Sequence, residues 1–108
     1  MSAAGVFEDA QSGDESSIDC AFAAVEIAGR FYSTAVADAI AERWLWGSGW
    51  KSVAHKLGCT RQSAFERCTR CFEWMDRNVE FGDGTARYVG VAKISQGENG
   101  RGRNPRGA

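Results

Sequence analysis

Apolar residues recur at helical spacing through the middle of the chain and lose that order toward both ends. Ile18, Ala21, Phe22, Val25, Ala28 and Tyr32 follow the i, i+3, i+4, i+7 spacing of one helix face. Ser17 suits its N-cap, Asp19 its first turn, and Gly29 its end. A second helix is expected from Ser33 or Thr34, with Val36, Ala37, Ile40, Trp44 and Leu45 on its apolar face and Gly47 just past its end. Gly49 can cap a short third helix, Trp50 to Leu57, that turns Trp50, Val53, Ala54 and Leu57 inward. Gly58 marks its C-terminal stop. Thr60 caps a fourth helix from Arg61 to about Arg77, with a core stripe of Ala64, Cys68, Cys71, Phe72 and Met75 and no Gly or Pro to break it.

Outside this region the pattern fades. Residues 1–16 are small, polar and acidic, and are expected to be disordered. Gly82-Asp83-Gly84 reads as a turn. Tyr88 to Ile94 mixes β-branched and small residues and fits a strand or a short helix equally. From Gly97 onward the chain is Gly, Arg and Asn, expected disordered. The expectation is an all-α fold: a three- to four-helix bundle containing a helix-turn-helix at about 50–77, within a helical domain of residues 17–78. A disordered acidic tail (1–16) and a weakly structured segment with a basic Gly/Arg-rich tail (79–108) would flank it.

Composition narrows the class. The 108 residues leave room for one small domain, and 44% hydrophobic with 25% charged residues is ordinary for a soluble protein. No apolar run approaches the roughly 20 residues of a membrane span. Met1 to Ala10 carries two acids and no base, unlike a secretory signal. A cytoplasmic protein without a membrane partner is therefore expected, with its four cysteines kept as thiols. His55 is the single histidine, so any Ser-His or Cys-His pair would have to use it. The expectation is binding rather than catalysis: no enzyme and no cofactor.

The net charge of −1 hides a gradient. Residues 1–30 hold six acids and one base; residues 81–108 hold two acids and five bases. A basic tail beside a near-neutral domain can attract nucleic acid.

The stretch from Trp44 to Ala64 has the physical parts of a DNA-binding helix-turn-helix. A helix ends at Gly47, and a short helix follows with Val53-Ala54 at its middle. Ala54 is small enough for the next helix to cross closely. Gly58 supplies positive φ for the turn, Cys59 plugs the angle, and Thr60 caps a longer helix.

At these positions the chain resembles the C-terminal promoter-reading domain of bacterial sigma factors and the small phage-type regulators that share it. The matching residues are Trp44, Leu45, Gly47, Trp50, Val53, Ala54, Leu57, Gly58 and Thr60, and the resemblance spans roughly residues 34–78. The regions of a full sigma factor that melt promoters and bind core polymerase have no counterpart here. Related domains usually carry a basic or polar residue where Phe65 stands. The resemblance implies sequence-specific binding of double-stranded DNA in transcription control, with RNA polymerase or a second copy of the chain as further candidate partners. A non-enzymatic protein–protein module on the same fold, such as a polymerase-binding adaptor, is the alternative.

Helix geometry selects the candidate contacts. With the stripe of the last helix turned inward, Gln62, Glu66, Thr69 and Glu73 face outward, flanked by Ser63 and Arg70 on one side and Phe65 on the other. Base edges meet the first turns of a recognition helix, here Thr60, Arg61, Gln62, Ser63, Phe65 and Glu66. Arg suits guanine, Gln adenine, Glu the cytosine amine, and an apolar ring the thymine methyl. Lys51, Ser52 and Arg70 would hold phosphates.

Three weaker signals stand beside this. His55, Cys59, Cys68 and Cys71 give H-x3-C-x8-C-x2-C, four potential zinc ligands at a non-standard spacing; the helical pattern instead puts the cysteines in the core, so no metal is expected. Arg101-Gly102-Arg103-Asn104-Pro105 resembles a minor-groove AT-hook core interrupted by Asn104. Gly82-x-Gly84 follows no clear strand and is no nucleotide fingerprint.

Overall fold

A computed structural model describes residues 1–90. The expected basic tail, the interrupted AT-hook and the end of the undecided 88–94 segment lie outside them. The order is α1 (Ala3–Gln11), α2 (Glu15–Phe31), α3 (Thr34–Ile40), a π-helical turn (Ala41–Leu45), α4 (Trp50–Leu57), α5 (Arg61–Asn78), β1 (Val79–Gly82) and β2 (Thr85–Tyr88). The described chain is mostly helical rather than all-α. Five α-helices stand where three or four are expected, and a two-stranded hairpin follows them.

The extra helix is α1, within residues expected to be disordered. Ser2 caps it, its hydroxyl accepting from the Gly5 amide at 3.1 Å. Ala3, Val6, Phe7 and Ala10 fall at i, i+3, i+4 and i+7 and are all buried. The acids beside them, Glu8 and Asp9, point to solvent, so a short apolar stripe pays for ordering a polar segment. At its start, the Ala3 amide donates to Asp76 Oδ1 on α5 at 2.8 Å.

α2 is the central helix, lying against α1, α3 and the hairpin. Its cap falls three residues before the expected Ser17. Asp14 is the cap, accepting from the Ser17 amide at 3.0 Å and the Ser17 hydroxyl at 2.7 Å, bonds that hold its carboxyl below the usual range. Gly29 lies inside the helix. Its buried face is Cys20, Ala21, Ala24 and Ala28, whereas Phe22 and Tyr32, expected inside, are about half exposed. Small side chains let neighbouring helices approach closely, and the larger rings are turned to the rim.

α3 begins at the expected cap, Ser33, whose hydroxyl accepts from the Val36 amide at 3.2 Å. It does not continue as a regular helix to Gly47. After Ile40 the backbone widens into the π-helical turn, closed by the Trp46 amide donating to the Ala41 carbonyl at 3.0 Å. A wider turn needs less rotation per residue, which keeps Trp44 in line with Val36 and Ile40. Trp44 then packs 4.9 Å from Phe72 and 6.3 Å edge-on from Phe7.

The hairpin grows from the end of α5. β1 and β2 pair antiparallel from Val79 opposite Tyr88 to Gly82 opposite Thr85. Gly84 takes the left-handed φ of +76° that the Asp83-Gly84 loop requires. The Cys20 thiol lies 3.0 Å from the Gly82 carbonyl and 3.1 Å from that of Thr85, tying α2 to the last pair. Tyr88 stacks on Phe31 at 4.0 Å and lies nearly parallel to Trp74 at 5.9 Å, which fixes the hairpin between α2 and α5.

Two substitutions test this packing. Phe7 is fully buried and 5.1 Å from Phe72. Phe7→Ala should cost about 3–5 kcal/mol, a large share of the roughly 5–15 kcal/mol of a small domain. Urea unfolding measures it; an unchanged midpoint would mean that residues 3–11 do not pack as α1. Conversely, a methyl at Gly29 would meet only Ala37 Cβ, at an ordinary 3.8 Å. Gly29→Ala should therefore stabilise by about 0.5 kcal/mol, seen as a melting temperature raised by roughly 2–4 °C.

Candidate nucleic-acid interface

α4 and α5 are joined by Gly58, Cys59 and Thr60. Gly58 has φ +69° and its amide donates to the His55 carbonyl at 3.1 Å, stopping α4 as a left-handed residue does. The Thr60 hydroxyl accepts from the Ser63 amide at 3.0 Å and caps α5. Val53 and Ala54 of α4 and Ala64 and Cys68 of α5 are buried in one core. The five expected stripe residues of α5, Ala64, Cys68, Cys71, Phe72 and Met75, are all buried.

That burial fixes what α5 shows to solvent. Arg61, Gln62, Glu66 and Arg70 are exposed, and Phe65 is half exposed at 50%. Gln62 Nε2 donates to Glu66 Oε2 at 3.1 Å, so these two candidate readers first engage each other. Thr60 and Ser63 are held by the cap, the hydroxyl of one and the amide of the other serving the helix. Lys51 and Ser52 are exposed in the first turn of α4. Gly49 caps that helix without a side chain, leaving its opening amides free of a side-chain acceptor. The Trp50 ring meets Phe65 edge-on at 5.6 Å and brings the start of α4 against the first turns of α5. Behind it the Arg43 guanidinium lies 5.4 Å from the Trp50 ring and 5.9 Å from that of Trp44.

The structure adds residues absent from the expected set. α1 lies alongside the C-terminal half of α5. A pocket of about 250 Å³ opens between them, with Ala4, Trp44, Phe65 and Phe72 as its apolar wall and Glu8, Glu73 and Asp76 as acids at its edge. The exposed surface is therefore divided. Lys51, Arg61 and Arg70 are exposed cations in the first turn of α4 and from the start to the middle of α5, and Glu8, Glu73 and Asp76 are acids at the pocket beside the second half of α5. Ala4 and Glu8 have their signal in the spacing of residues 3–10, which predicts their helix once Val6 and Phe7 are read as core.

The zinc-spaced residues do not converge. His55 is exposed on α4, Cys59 half-buried in the turn, and Cys68 and Cys71 buried on α5. Among the described residues no group of three His, Cys, Asp or Glu side chains is placed to hold a metal ion. Burial pushes the Cys68 thiol up to about 11 and the Cys71 thiol to about 12, which keeps both protonated near neutrality. No helix of the described residues is long and apolar enough to cross a membrane.

No protein-family model, curated protein or solved structure matches this chain.

The thiols carry a prediction. A disulfide-exchanging reagent should label Cys59 first in the native protein, and Cys20, Cys68 and Cys71 only on unfolding, as followed by intact mass. Rapid labelling of all four would contradict the burial. The unfolded chain loses the protons of Cys68 and Cys71 near their usual pKa of 9.0, while the folded chain keeps them. Their contribution to stability is thus full below about pH 9 and falls as pH rises toward 11.

Proposed function

We propose that the chain binds duplex DNA sequence-specifically, in transcription control, through the first turns of α5. The observation that carries this reading is the capped, exposed start of that helix. Thr60 closes it, Arg61 and Gln62 project from it, and the Trp50–Phe65 contact sets the exposed Lys51 beside it. A short helix, a left-handed glycine and a capped second helix are the successive parts of a helix-turn-helix, whose second helix enters the major groove by its N-terminal residues.

In that geometry Arg61 can pair with guanine O6 and N7, and Gln62 with adenine once it releases Glu66. Phe65 can meet a thymine methyl, and Glu66 the cytosine amine. Lys51, Ser52 and the uncapped amides of α4 suit one phosphate run, and Arg70 a second. Glu8, Glu73 and Asp76 repel phosphates, so the contact would be confined to the first half of α5. Residues 1–90 carry thirteen acids against nine bases, so Lys93, Arg101, Arg103 and Arg106 beyond them would add to the sequence-independent attraction that Lys51 and Arg70 supply.

One observation favours a second reading. The apolar pocket between α1 and α5 has Phe65 in its wall, and a protein module such as a polymerase-binding adaptor would use it.

Selection of bound duplexes from a random pool at near-physiological salt separates the two. Under the DNA reading a motif is enriched. Gln62→Ala should cost about 1–3 kcal/mol on that motif and relax one base pair. Lys51→Ala should weaken all sequences alike and flatten the salt dependence. If no motif emerges, or if the Arg61→Ala, Gln62→Ala double variant selects the same one, the α5 assignment falls and the protein-partner reading replaces it.

A further inference from the structure

The most exposed aromatic side chain among the described residues lies away from α5. Trp46, in the loop after the π-helical turn, is 63% exposed, and Phe22 on α2 is 49% exposed. Their rings meet edge-on, with centroids 5.8 Å apart. Phe22 stands between two acids on its helix face, with Arg30 a further turn on. Asp19 lies three residues before it and Glu26 four residues after, both exposed on the same helix face. A polar rim around exposed aromatics is the composition of a protein-binding patch.

The surface beside Trp46 is concave and charged. A pocket of about 190 Å³ is lined by Trp46, Ala41, Asp38, Glu42 and Lys56. Glu42 is already engaged, accepting from the Ser48 hydroxyl at 2.9 Å and facing Lys56 Nζ at 3.7 Å. That pair neutralises Lys56. The Asp38 carboxylate is exposed and has no partner among the described residues. An indole and an unpaired carboxylate on one pocket are a matched pair of groups for a cationic side chain, one through its ring face and the other through charge.

We propose that Phe22, Trp46 and Asp38 form a docking site for a protein partner that presents an arginine or lysine next to an apolar residue. The cation enters the pocket, lying on the Trp46 indole with its charged end on Asp38. The apolar neighbour covers Phe22 between Asp19 and Glu26. Charge selects this occupant over others. A second copy would set the same carboxylates against themselves, and a nucleic acid would bring phosphates to them. Of the chain's own cations beyond residue 90, Arg101, Arg103 and Arg106 stand among Gly, Asn and Pro with no large apolar side chain to place on Phe22; Lys93 alone has one beside it, Ile94, and the test below includes it. The site shares no residue with α5 and is independent of the DNA reading.

The test uses the full chain and an acetylated, amidated Gly-Leu-Arg-Leu-Arg-Gly peptide as probe. Nitrogen-labelled protein should show the Trp46 indole N–H signal moving saturably with peptide, while those of Trp44, Trp50 and Trp74 stay in place. Replacing both arginines of the peptide by glutamate should abolish the shift. Asp38→Asn and Trp46→Ala, both surface changes, should each weaken binding by about two- to fivefold in calorimetry, with the melting temperature unchanged. An indole signal unmoved at millimolar peptide overturns the proposal. So does equal binding of the glutamate peptide, or full affinity in Asp38→Asn. Two other occupants are distinguished without peptide. A Trp46 signal that moves with protein concentration assigns the patch to a second copy. One that moves when Lys93, Arg101, Arg103 and Arg106 are changed to Gln assigns it to the chain's own C-terminal segment. Either result replaces the separate partner.

Discussion

A connected run of aromatic rings holds the helices in register. Phe7 of α1, fully buried, reaches Phe72 of α5 and Trp44 of the π-helical turn. Trp44 reaches Trp50 at the start of α4, and Trp50 reaches Phe65 on the outer side of α5. Four elements separated in sequence therefore meet through five rings at 4.9–6.3 Å. An aromatic side chain buries about 150–250 Å² when covered, a large contribution here because the helix faces behind these rings are lined largely by Ala and Cys. The small residues set how closely the helices approach, and the rings set their relative positions.

The same run links the core to the candidate interface. Phe65 is half exposed because the end of the aromatic series reaches the surface there, and Trp50 holds it from beneath the start of α4. The exposed start of α5 is thus built on a rigid support, as a base-reading or partner-reading surface requires. The acids of α1 and of the second half of α5 bound it on one side. What enters must tolerate cations at the start of the helix and carboxylates toward its end, which is a constraint on partner geometry as much as on partner charge.

Electrostatics divide the molecule further. The second aromatic surface, Phe22 with Trp46, lies among Asp19, Glu26 and Asp38, where no polyanion would be drawn. In net charge, the cations beyond residue 90 offset the acidic excess of residues 1–90. One short chain thereby offers two chemically unlike faces, one suited to an anion at the start of α5 and one suited to a cation beside Trp46.

Much of α4, the turn and α5 was legible because local physics determines it. Gly58 is read from its need for positive φ, Thr60 from its capping hydroxyl, and the five buried residues of α5 from a 3.6-residue period. The same period turns Arg61, Gln62 and Glu66 outward. The elements that were missed depend on partners distant in sequence. α1 has the right spacing, but only Val6 and Phe7 are large, and an acidic segment with two large apolar residues is a helix only because Trp44 and Phe72 cover it. The hairpin had its signal in Asp83-Gly84, yet its short strands are fixed by Phe31 and Trp74 stacking on Tyr88. Phe22 was expected inside because apolar spacing shows that a face exists but not how far neighbouring helices extend over it. The sequence by itself determined the helices with strong caps and a full apolar stripe. Only the tertiary structure decided which rings are covered and which acids border the interface, because burial belongs to pairs of elements and is written in neither one alone.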